Sequence, residues 1–250
     1  MTIRTPARIA LAAVTLVLAL GACGGVPSTS DRAPAAAAEP APATTTDAAE
    51  AETDEALVAR AAADLAVFAQ PGDAAPSLTL PATTGFGSAR ALLVDAIDGE
   101  WIKVLLPTRP NGSTGWIRRG DVELRSVDEA IEVDLASRTL RLLIDGEAVV
   151  SAPVAVGTPD NPTPTGRFYV VDKLATGDPT HPYGRFALGL SGHSNELSEF
   201  AGGDGQIGIH GTDDPASIGQ AVSHGCIRLG DEAITQLSDL VPLGTPVVIT

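Results

Sequence analysis

The stretch HGTDDPASIGQAVSHGCIRL, residues 210–229, predicts how three neighbouring elements of the C-terminal half fold together. The run QIGIHG predicts a β-strand that ends at His210. Asp214 as N-cap, followed by a proline, predicts a short helix over 215–222. The strand, the helix and the return of the chain can bring the turn that contains Cys226 back beside His210.

Cys226 is one of only two cysteines in the 250 residues. A thiol with the usual pKa of about 8.5 is only a few per cent thiolate at neutral pH, and a neighbouring imidazole that takes its proton makes it a nucleophile. His210 and His224 are the two candidates for that base. Gly225 lets the backbone approach a substrate closely and direct its amides at a developing oxyanion. The other interpretation of the same residues is an inert Cys–His pair in the core.

The N-terminus, MTIRTPARIALAAVTLVLALGAC, is typical of an export signal. Its apolar run, residues 9–20, is too short to span the about 30 Å of a bilayer core. The order Leu-Gly-Ala-Cys resembles the bacterial lipobox, which implies a signal peptide over 1–22 and a lipid on Cys23. The protein is therefore expected outside the cytoplasm, anchored to the membrane and facing the cell wall. The alternative is an ordinary signal peptide in which Cys23 occurs by chance. If Cys23 is lipidated, Cys226 has no second cysteine in the chain with which to form a disulfide.

The net charge of −15 and the absence of a basic stretch make nucleic acid a poor partner, so none is expected. Residues 23–63 are rich in Ala, Pro, Thr and acidic side chains and contain no aromatic residue. Such a segment buries too little apolar surface to offset its ordering entropy. The composition predicts a disordered tether, with a frayed helix over 50–63 as its last part. Nothing in the composition indicates an oligomeric state.

Residues 64–125 predict a small all-β module, because short β-rich runs such as ALLVDAI and EWIKVLLP alternate with turn sequences such as Asp-Gly and Pro-Asn-Gly. Trp101 and Trp116 are expected in its core, and a ligand platform is the alternative. The phrase DGEWIKVLLPTRPNGSTGWIRRGDVEL resembles the small Src-homology-3-like barrels of bacterial wall proteins in its strand rhythm and its Gly-Trp pair.

Residues 126–250 predict a mainly β domain with short helices. A strand is expected over Arg167 to Asp172, TPVVIT is expected as the closing strand, and DEAITQLSDLV reads as a short helix capped by Asp231. Residues 178–205 are rich in Gly, Pro and Ser, so they predict a long loop of the kind that is usually functional or mobile.

From about Val127 to the C-terminus, the sequence resembles the L,D-transpeptidases of the YkuD type. The resemblance is carried by TPTGRF, PYGRFALGL, IGIHGT, SHGCIRL and GTPVVIT. It implies a β-sandwich-like catalytic domain, peptidoglycan stem peptides as substrate, and neither a metal nor a cofactor. It further implies attack on the diaminopimelate carbonyl of a stem tetrapeptide, release of the terminal D-Ala, and transfer of the thioester to the side-chain amine of a second stem.

The same resemblance assigns roles to individual residues. It implies Cys226 as the nucleophile and His210 as the base, oriented by a backbone carbonyl near Gly211. Arg228 is expected to hold the turn or to pair with a substrate carboxylate, and a plain structural ion pair is the alternative. The residues that it implies for the oxyanion and substrate site are Gly211, Ser223, His224, Gly225 and Arg228.

Three other functions remain open from the sequence. A metal hydrolase would use histidines as zinc ligands with Cys226, although no HExxH motif occurs. A wall-binding lipoprotein would carry an inactive C-terminal half. An L,D-carboxypeptidase would use the same thioester with water as the acceptor. The histidines available to a metal site are His181, His193, His210 and His224.

Overall fold

Two β-sheets dominate the computed structural model, which describes residues 55–200 and 202–250. Within the described residues, the N-terminal part forms an antiparallel sheet in the order β6-β5-β4-β1-β7 and a separate β2–β3 hairpin. An all-β module is therefore present where the sequence predicts one, while its likeness to a Src-homology-3 barrel stays a prediction. The strands of this module are β1 (Ala56–Ala61), β2 (Leu65–Val67), β3 (Leu78–Leu80), β4 (Ala91–Asp98), β5 (Trp101–Leu105), β6 (Thr114–Arg118) and β7 (Val122–Val127).

Strand β1 corrects the predicted end of the tether. The composition of residues 50–63 predicts a disordered segment with a frayed helix, but Ala56–Ala61 pairs with β4 on one side and β7 on the other. Val58 in this strand is fully buried. The physical reason is tertiary, because two neighbouring strands supply partners on both edges that local composition cannot reveal. The predicted signal peptide and the tether up to residue 54 lie outside the described residues.

The C-terminal part is built on one curled eight-stranded sheet in the order β10-β9-β8-β17-β12-β13-β14-β16. The pairs β8–β17 and β14–β16 are parallel, and a short parallel pair, β11–β15, lies apart from this sheet. The expected mainly β fold with short helices is confirmed. The elements are β8 (Glu129–Asp134), β9 (Thr139–Ile144), β10 (Glu147–Pro153), β11 (Val156–Gly157), β12 (Gly166–Ala175), β13 (Phe186–His193), β14 (Gln206–His210), β15 (Ala221–Ser223), β16 (Ile227–Arg228), α1 (Asp231–Leu240) and β17 (Pro246–Ile249).

Strand β13 lies inside the stretch 178–205, which the sequence predicts as one long loop. That prediction is wrong for Phe186–His193, which pairs with β12 and β14 in the interior of the sheet. The small residues that suggest a loop are required by close packing. A Cβ on Gly192 would lie 2.5 Å from the ring of Phe168. The glycine content of this strand therefore reflects a crowded sheet face and not a flexible segment.

The helices also differ in detail from the sequence prediction. The expected helix over 215–222 is only a 3₁₀ turn, Pro215–Ser217, and the chain then enters β15. Asp214 is its N-cap by position, but its side chain makes no capping hydrogen bond. Helix α1 is present as predicted, although its N-cap is Gly230 and Asp231 is its first residue. None of the helices in the described ranges is long and apolar enough to cross a membrane.

Strand β12 belongs to the cores of both parts. Phe168 and Val170 face the C-terminal core, whereas Tyr169 and Val171 on the opposite face pack with the core of the N-terminal module. Tyr169 is completely buried, and its hydroxyl donates a hydrogen bond to the carbonyl of Leu105 at 3.2 Å. The module is thus packed against a central strand, and the described chain forms one compact unit.

Candidate active site

His210 and Cys226 come together because β14 and β16 are parallel neighbours. The register pairs His210 with Arg228, and Cys226 directly precedes β16, so the continued register places it beside Gly208. Residues two apart in a strand share one face of the sheet. The imidazole of His210 and the thiol of Cys226 therefore lie on the same side, and both line the same two cavities.

The continued register places Gly208 opposite Cys226. A Cβ at this position would lie 3.2 Å from the carbonyl oxygen of Leu188. Burial raises the pKa of the Cys226 thiol, while a backbone hydrogen bond from Gly208 and the positive charge of Arg228 act in the opposite direction and are outweighed. The resting protein therefore holds Cys226 as a protonated thiol.

Two contacts fix the imidazole of His210. Its Nδ1 donates a hydrogen bond to the carbonyl of Gly211 at 2.5 Å, and the ring of Tyr183 meets it edge-on with ring centres 4.8 Å apart. A proton on Nδ1 leaves Nε2 as the nitrogen that can accept one. Burial lowers the pKa of His210 to about 4, so the ring is neutral at physiological pH. This arrangement provides an oriented base that is ready to take a proton from a thiol.

Two glycines bring the Tyr183 segment up to His210. Gly184 has a φ of +61°, and a Cβ there would lie 2.5 Å from the Cα of Gly211. A Cβ on Gly211 would in turn lie 2.9 Å from the Cα of Gly184. Gly211 therefore contributes a carbonyl and a close backbone approach. Sequence reasoning missed Tyr183, and the only signal for it was its place in the quoted PYGRFALGL.

The turn before β16 is held by Ser223. The Ser223 hydroxyl donates to the carbonyl of Cys226 at 2.6 Å and accepts from the amide of Gly225 at 3.1 Å. Gly225 has a φ of +118°, and a Cβ there would lie 2.9 Å from the Cδ1 of Ile207. The position therefore requires glycine. Because its amide is engaged by Ser223, Gly225 contributes to the shape of the turn, and its role as an oxyanion donor stays a prediction.

His224 lines a cavity that also contains Cys226. Its ring is exposed and stacks on the ring of Phe200, with ring centres 5.0 Å apart and an interplanar angle of 29°. Phe200 comes from the segment between β13 and β14 and was not singled out from the sequence. The contact ties that segment to the turn that precedes Cys226.

Arg228 is anchored by its backbone, which exchanges two hydrogen bonds with Ala155. Its side chain lines the cavity that contains Cys226. Within the described residues it forms no ion pair with an acidic side chain, and its buried Nε has no hydrogen-bond partner. The alternative of a plain structural ion pair is thus not found among the described residues, and the Arg228 guanidinium keeps donors that are available to a ligand.

Cys226 is reached from two adjoining cavities, of about 140 Å³ and about 380 Å³. The smaller one contains Arg228 and the turn residues, and the larger one extends toward Phe86 of the N-terminal module. Tyr183 and Phe200 line both. The thiol is therefore accessible from the cavities that these residues line.

The residues considered for zinc do not converge. Among residues 55–200 and 202–250, no three His, Cys, Asp or Glu side chains are placed to hold a metal ion. His193 instead lies within 3.0 Å of a carboxylate oxygen of Asp204, and the Nδ1 of His181 accepts a hydrogen bond from the amide of Tyr183. The predicted lipidation site, Cys23, lies outside the described residues.

The depressed pKa of His210 predicts a loss of stability in acid. The unfolded chain binds a proton at the ordinary value of 6.5, whereas the folded protein binds it only near 4, so the free energy of unfolding decreases as pH falls from 6.5 to 4. The full shift corresponds to about 3 kcal/mol. Urea unfolding at pH 7 and pH 4.5 should therefore show a smaller acid-induced loss for His210→Gln than for the natural chain. An identical loss in both proteins would contradict the burial of a neutral imidazole.

Comparison with known proteins places the C-terminal half in a known group. Residues 128–249 match the family model YkuD, described as the L,D-transpeptidase catalytic domain. The Bacillus subtilis protein YkuD, which carries an L,D-transpeptidase name, is 38% identical over 119 residues that make up 48% of this chain and 64% of that protein. YqjB of Bacillus subtilis, also named as an L,D-transpeptidase, is 32% identical over 134 residues, or 49% of this chain and 72% of that protein.

The coverage of these relatives is partial. The chain spans 64% of the length of each of the first two curated relatives that it matches. A solved L,D-transpeptidase from Mycobacterium smegmatis aligns with a TM-score of 0.42 at 17% identity, over 65% of this chain and 91% of that one. The family-model match covers β14, β16 and the whole segment between them.

Proposed function

The chain belongs to the L,D-transpeptidase family of the YkuD type, and from that premise we propose that it is a cysteine acyltransferase that cross-links peptidoglycan. The observation that carries the proposal is the position of Cys226, directly before β16, on the same side of the sheet as an oriented, neutral His210 at the end of the neighbouring parallel strand β14. A core Cys–His pair would need no opening to solvent, whereas this pair lines two cavities. The intact pair also argues against a wall-binding protein with an inactive C-terminal half.

In the first half-reaction, the Cys226 sulfur attacks the diaminopimelate carbonyl of a stem tetrapeptide. Its proton passes to Nε2 of His210, because Nδ1 already donates its proton to Gly211. The tetrahedral intermediate then collapses with cleavage of the amide bond to the terminal D-Ala. The leaving amine takes the proton from His210, so the products are free D-Ala and a thioester on Cys226.

In the second half-reaction, the side-chain amine of another stem attacks the thioester. His210 accepts a proton from that amine, the carbon–sulfur bond breaks, and the thiol of Cys226 is restored. The net result is a new amide bond between two stems. Donor and acceptor must reach the same sulfur atom in turn, and the cavities that Cys226 lines leave that atom accessible.

We assign the supporting roles from contacts. Ser223 and Gly225 hold the turn that presents the thiol. Arg228 fits recognition of a substrate carboxylate, because its side chain lines the smaller cavity without an acidic partner in the described residues. Stem peptides end in a carboxylate, which gives this guanidinium a chemically suitable ligand.

We also propose that the protein works outside the cytoplasm on a lipid anchor. The proposal is supported by the apolar N-terminal run and the Leu-Gly-Ala-Cys order at Cys23. Residues 24–54, rich in Ala, Pro and acidic side chains, would then act as a spacer between the membrane and the folded part. Metabolic labelling with a fatty acid is expected to mark the natural chain and to leave Cys23→Ser unlabelled.

Defined muropeptides test the enzymatic proposal. The protein is incubated with a stem tetrapeptide alone and with an added stem that offers an amine, and the products are identified by mass. We expect release of D-Ala and an amide-linked dimer that forms only with the amine present. A tripeptide produced by hydrolysis, with no dimer at any amine concentration, would assign the protein as a carboxypeptidase. Absence of both products would overturn the proposed function.

A further inference from the structure

The N-terminal module reaches the catalytic half through the loop between β5 and β6. We propose that Arg109 in this loop is a positioning residue that holds one wall of the active site in the shape that binds substrate. This wall is the segment 194–205, of which the structure describes residues 194–200 and 202–205. The contacts of Arg109 are between described residues, whereas the identity of the substrate rests on the proposed function.

Arg109 donates hydrogen bonds to three backbone carbonyls of that segment. Its Nη1 donates to the carbonyl of Ser194, and its Nη2 donates to those of Leu197 and Asp204 at 2.8 and 2.7 Å. Asp204 and Ser194 are at opposite ends of the segment, so one guanidinium ties both ends together. The planar guanidinium of arginine has several N–H donors in fixed directions, so it can bond three carbonyls at once more readily than the ammonium group of a lysine can.

Asn111 secures the start of the same segment. Its Nδ2 donates to the carbonyl of His193 at 2.7 Å, and its Oδ1 accepts from the amide of His193 at 2.9 Å. These two bonds continue the backbone pairing at the end of β13 with a side chain from another part of the chain. The module therefore contacts the segment at its entry as well as across its ends.

Gly205 shows that the fit around Arg109 is tight. Its φ is +78°, and a Cβ there would lie 2.2 Å from the carbonyl oxygen of Leu197 and 2.8 Å from the Nη2 of Arg109. The amide of Ser194 donates to the carbonyl of Gly205 at 2.8 Å, which closes the segment on itself. The guanidinium thus occupies space that only a glycine leaves open.

The held segment forms part of the cavity around the thiol. Ser194, Leu197, Phe200 and Gly205 line the smaller cavity together with Cys226. Phe200 also stacks on His224, next to the turn that presents the thiol. A segment with so little regular structure would otherwise lose conformational freedom when a stem peptide binds, and that loss would weaken binding. Arg109 reduces this cost by ordering the segment in advance.

The chemical groups themselves are positioned by other contacts. His210 is fixed by Gly211 and Tyr183, and the turn before β16 is fixed by Ser223. None of these bonds involves the module. Loss of Arg109 should therefore raise the KM for a stem tetrapeptide and leave kcat and the intrinsic reactivity of the thiol nearly unchanged.

The test compares Arg109→Ala and Arg109→Lys with Arg125→Ala in the full chain. Arg125 is a matched control, because it is an exposed arginine of the same module whose side chain pairs with Glu123 at 2.7 Å. Loss of even one charge-assisted hydrogen bond corresponds to a roughly tenfold change in an equilibrium constant, so we expect KM to rise about tenfold or more in Arg109→Ala. Arg109→Lys keeps the charge but loses the fork, and should give an intermediate KM.

Amide hydrogen exchange and alkylation by iodoacetamide separate positioning from chemistry. We expect faster exchange over 194–205 in Arg109→Ala, unchanged exchange in β14, and an unchanged rate of Cys226 alkylation. Exchange over 194–205 no faster than in Arg125→Ala would overturn the proposal, as would a loss of kcat without a rise in KM.

If Arg109→Ala does not fold, Arg109→Lys and Asn111→Ala are judged by the same criteria. If the natural chain does not turn over stem peptides, the proposed function fails, and the exchange result alone decides whether Arg109 holds the segment.

Discussion

Replacing Cys226 with serine is expected to reduce acyl transfer by roughly 10⁴-fold or more and to abolish the covalent adduct. A serine hydroxyl has a far higher pKa than a thiol, and it needs a strong base to become a nucleophile. The neutral imidazole of His210 can accept the proton of a thiol during attack, whereas a hydroxyl gives up its proton far less readily. Intact-protein mass after exposure to a carbapenem, an acylating agent for this family, measures the adduct directly.

The second cysteine of the chain provides the control. Cys23→Ser should acquire the same single adduct as the natural protein, because Cys23 is predicted to bear a lipid and takes no part in the chemistry. An adduct of unchanged mass on Cys226→Ser would show that another residue is acylated. That result would contradict the assignment of the nucleophile.

Replacing His210 with alanine is expected to slow acylation by the 10²- to 10⁴-fold typical of losing a positioned base, whereas His224→Ala should cost much less. The structure gives the reason, since His210 is buried and bonded to Gly211, while His224 is exposed and stacked on Phe200. Loss of His224 should only loosen the turn. Phe200→Ala removes the other half of that stack, so its effect should match that of His224→Ala.

The pH profile of acylation separates the two histidines further. His210 must be neutral to accept a proton, so the rate in the natural chain should fall as pH drops through about 4 and should not depend on an ordinary histidine pKa near 6.5. Stopped-flow acylation and titration of the thiol in both variants measure this. If the thiol pKa rises in His224→Ala and stays the same in His210→Ala, the roles are reversed.

The fold was predictable from the sequence where the periodic pattern is strong. QIGIHG gives β14 and DEAITQLSDLV gives α1, because their apolar residues recur with the periods of a strand and a helix. Strand β13 was missed because glycine and serine normally indicate a loop, yet here Gly192 is required by the ring of Phe168. Strand β1 was missed because its partners, β4 and β7, begin more than thirty residues away in the sequence.

The placement of His210 and Cys226 was predictable, because both lie within the quoted twenty residues. The resemblance implied a backbone carbonyl near Gly211 as the partner of His210, and the structure has a hydrogen bond to Gly211 itself. The catalytic roles of both residues stay predictions. The roles of Tyr183 and Arg109 were not predictable, because their contacts join parts of the chain that are distant in sequence. Tyr183 meets His210 within the C-terminal part, and Arg109 reaches the segment between β13 and β14 from the N-terminal module. Arg109 lies in no motif, and the motif PYGRFALGL contains Tyr183 without indicating its contact with His210.

The most direct test of the central claim is the mass of the protein during a single turnover. The natural chain is mixed with one equivalent of stem tetrapeptide, quenched rapidly and analysed intact and by peptide mapping. We predict a transient mass increase equal to the tetrapeptide less D-Ala, located on Cys226, which disappears when an amine-bearing stem is added and the cross-linked dimer forms. Dimer formation without any covalent protein species, or an acyl group on a residue other than Cys226, would contradict the account.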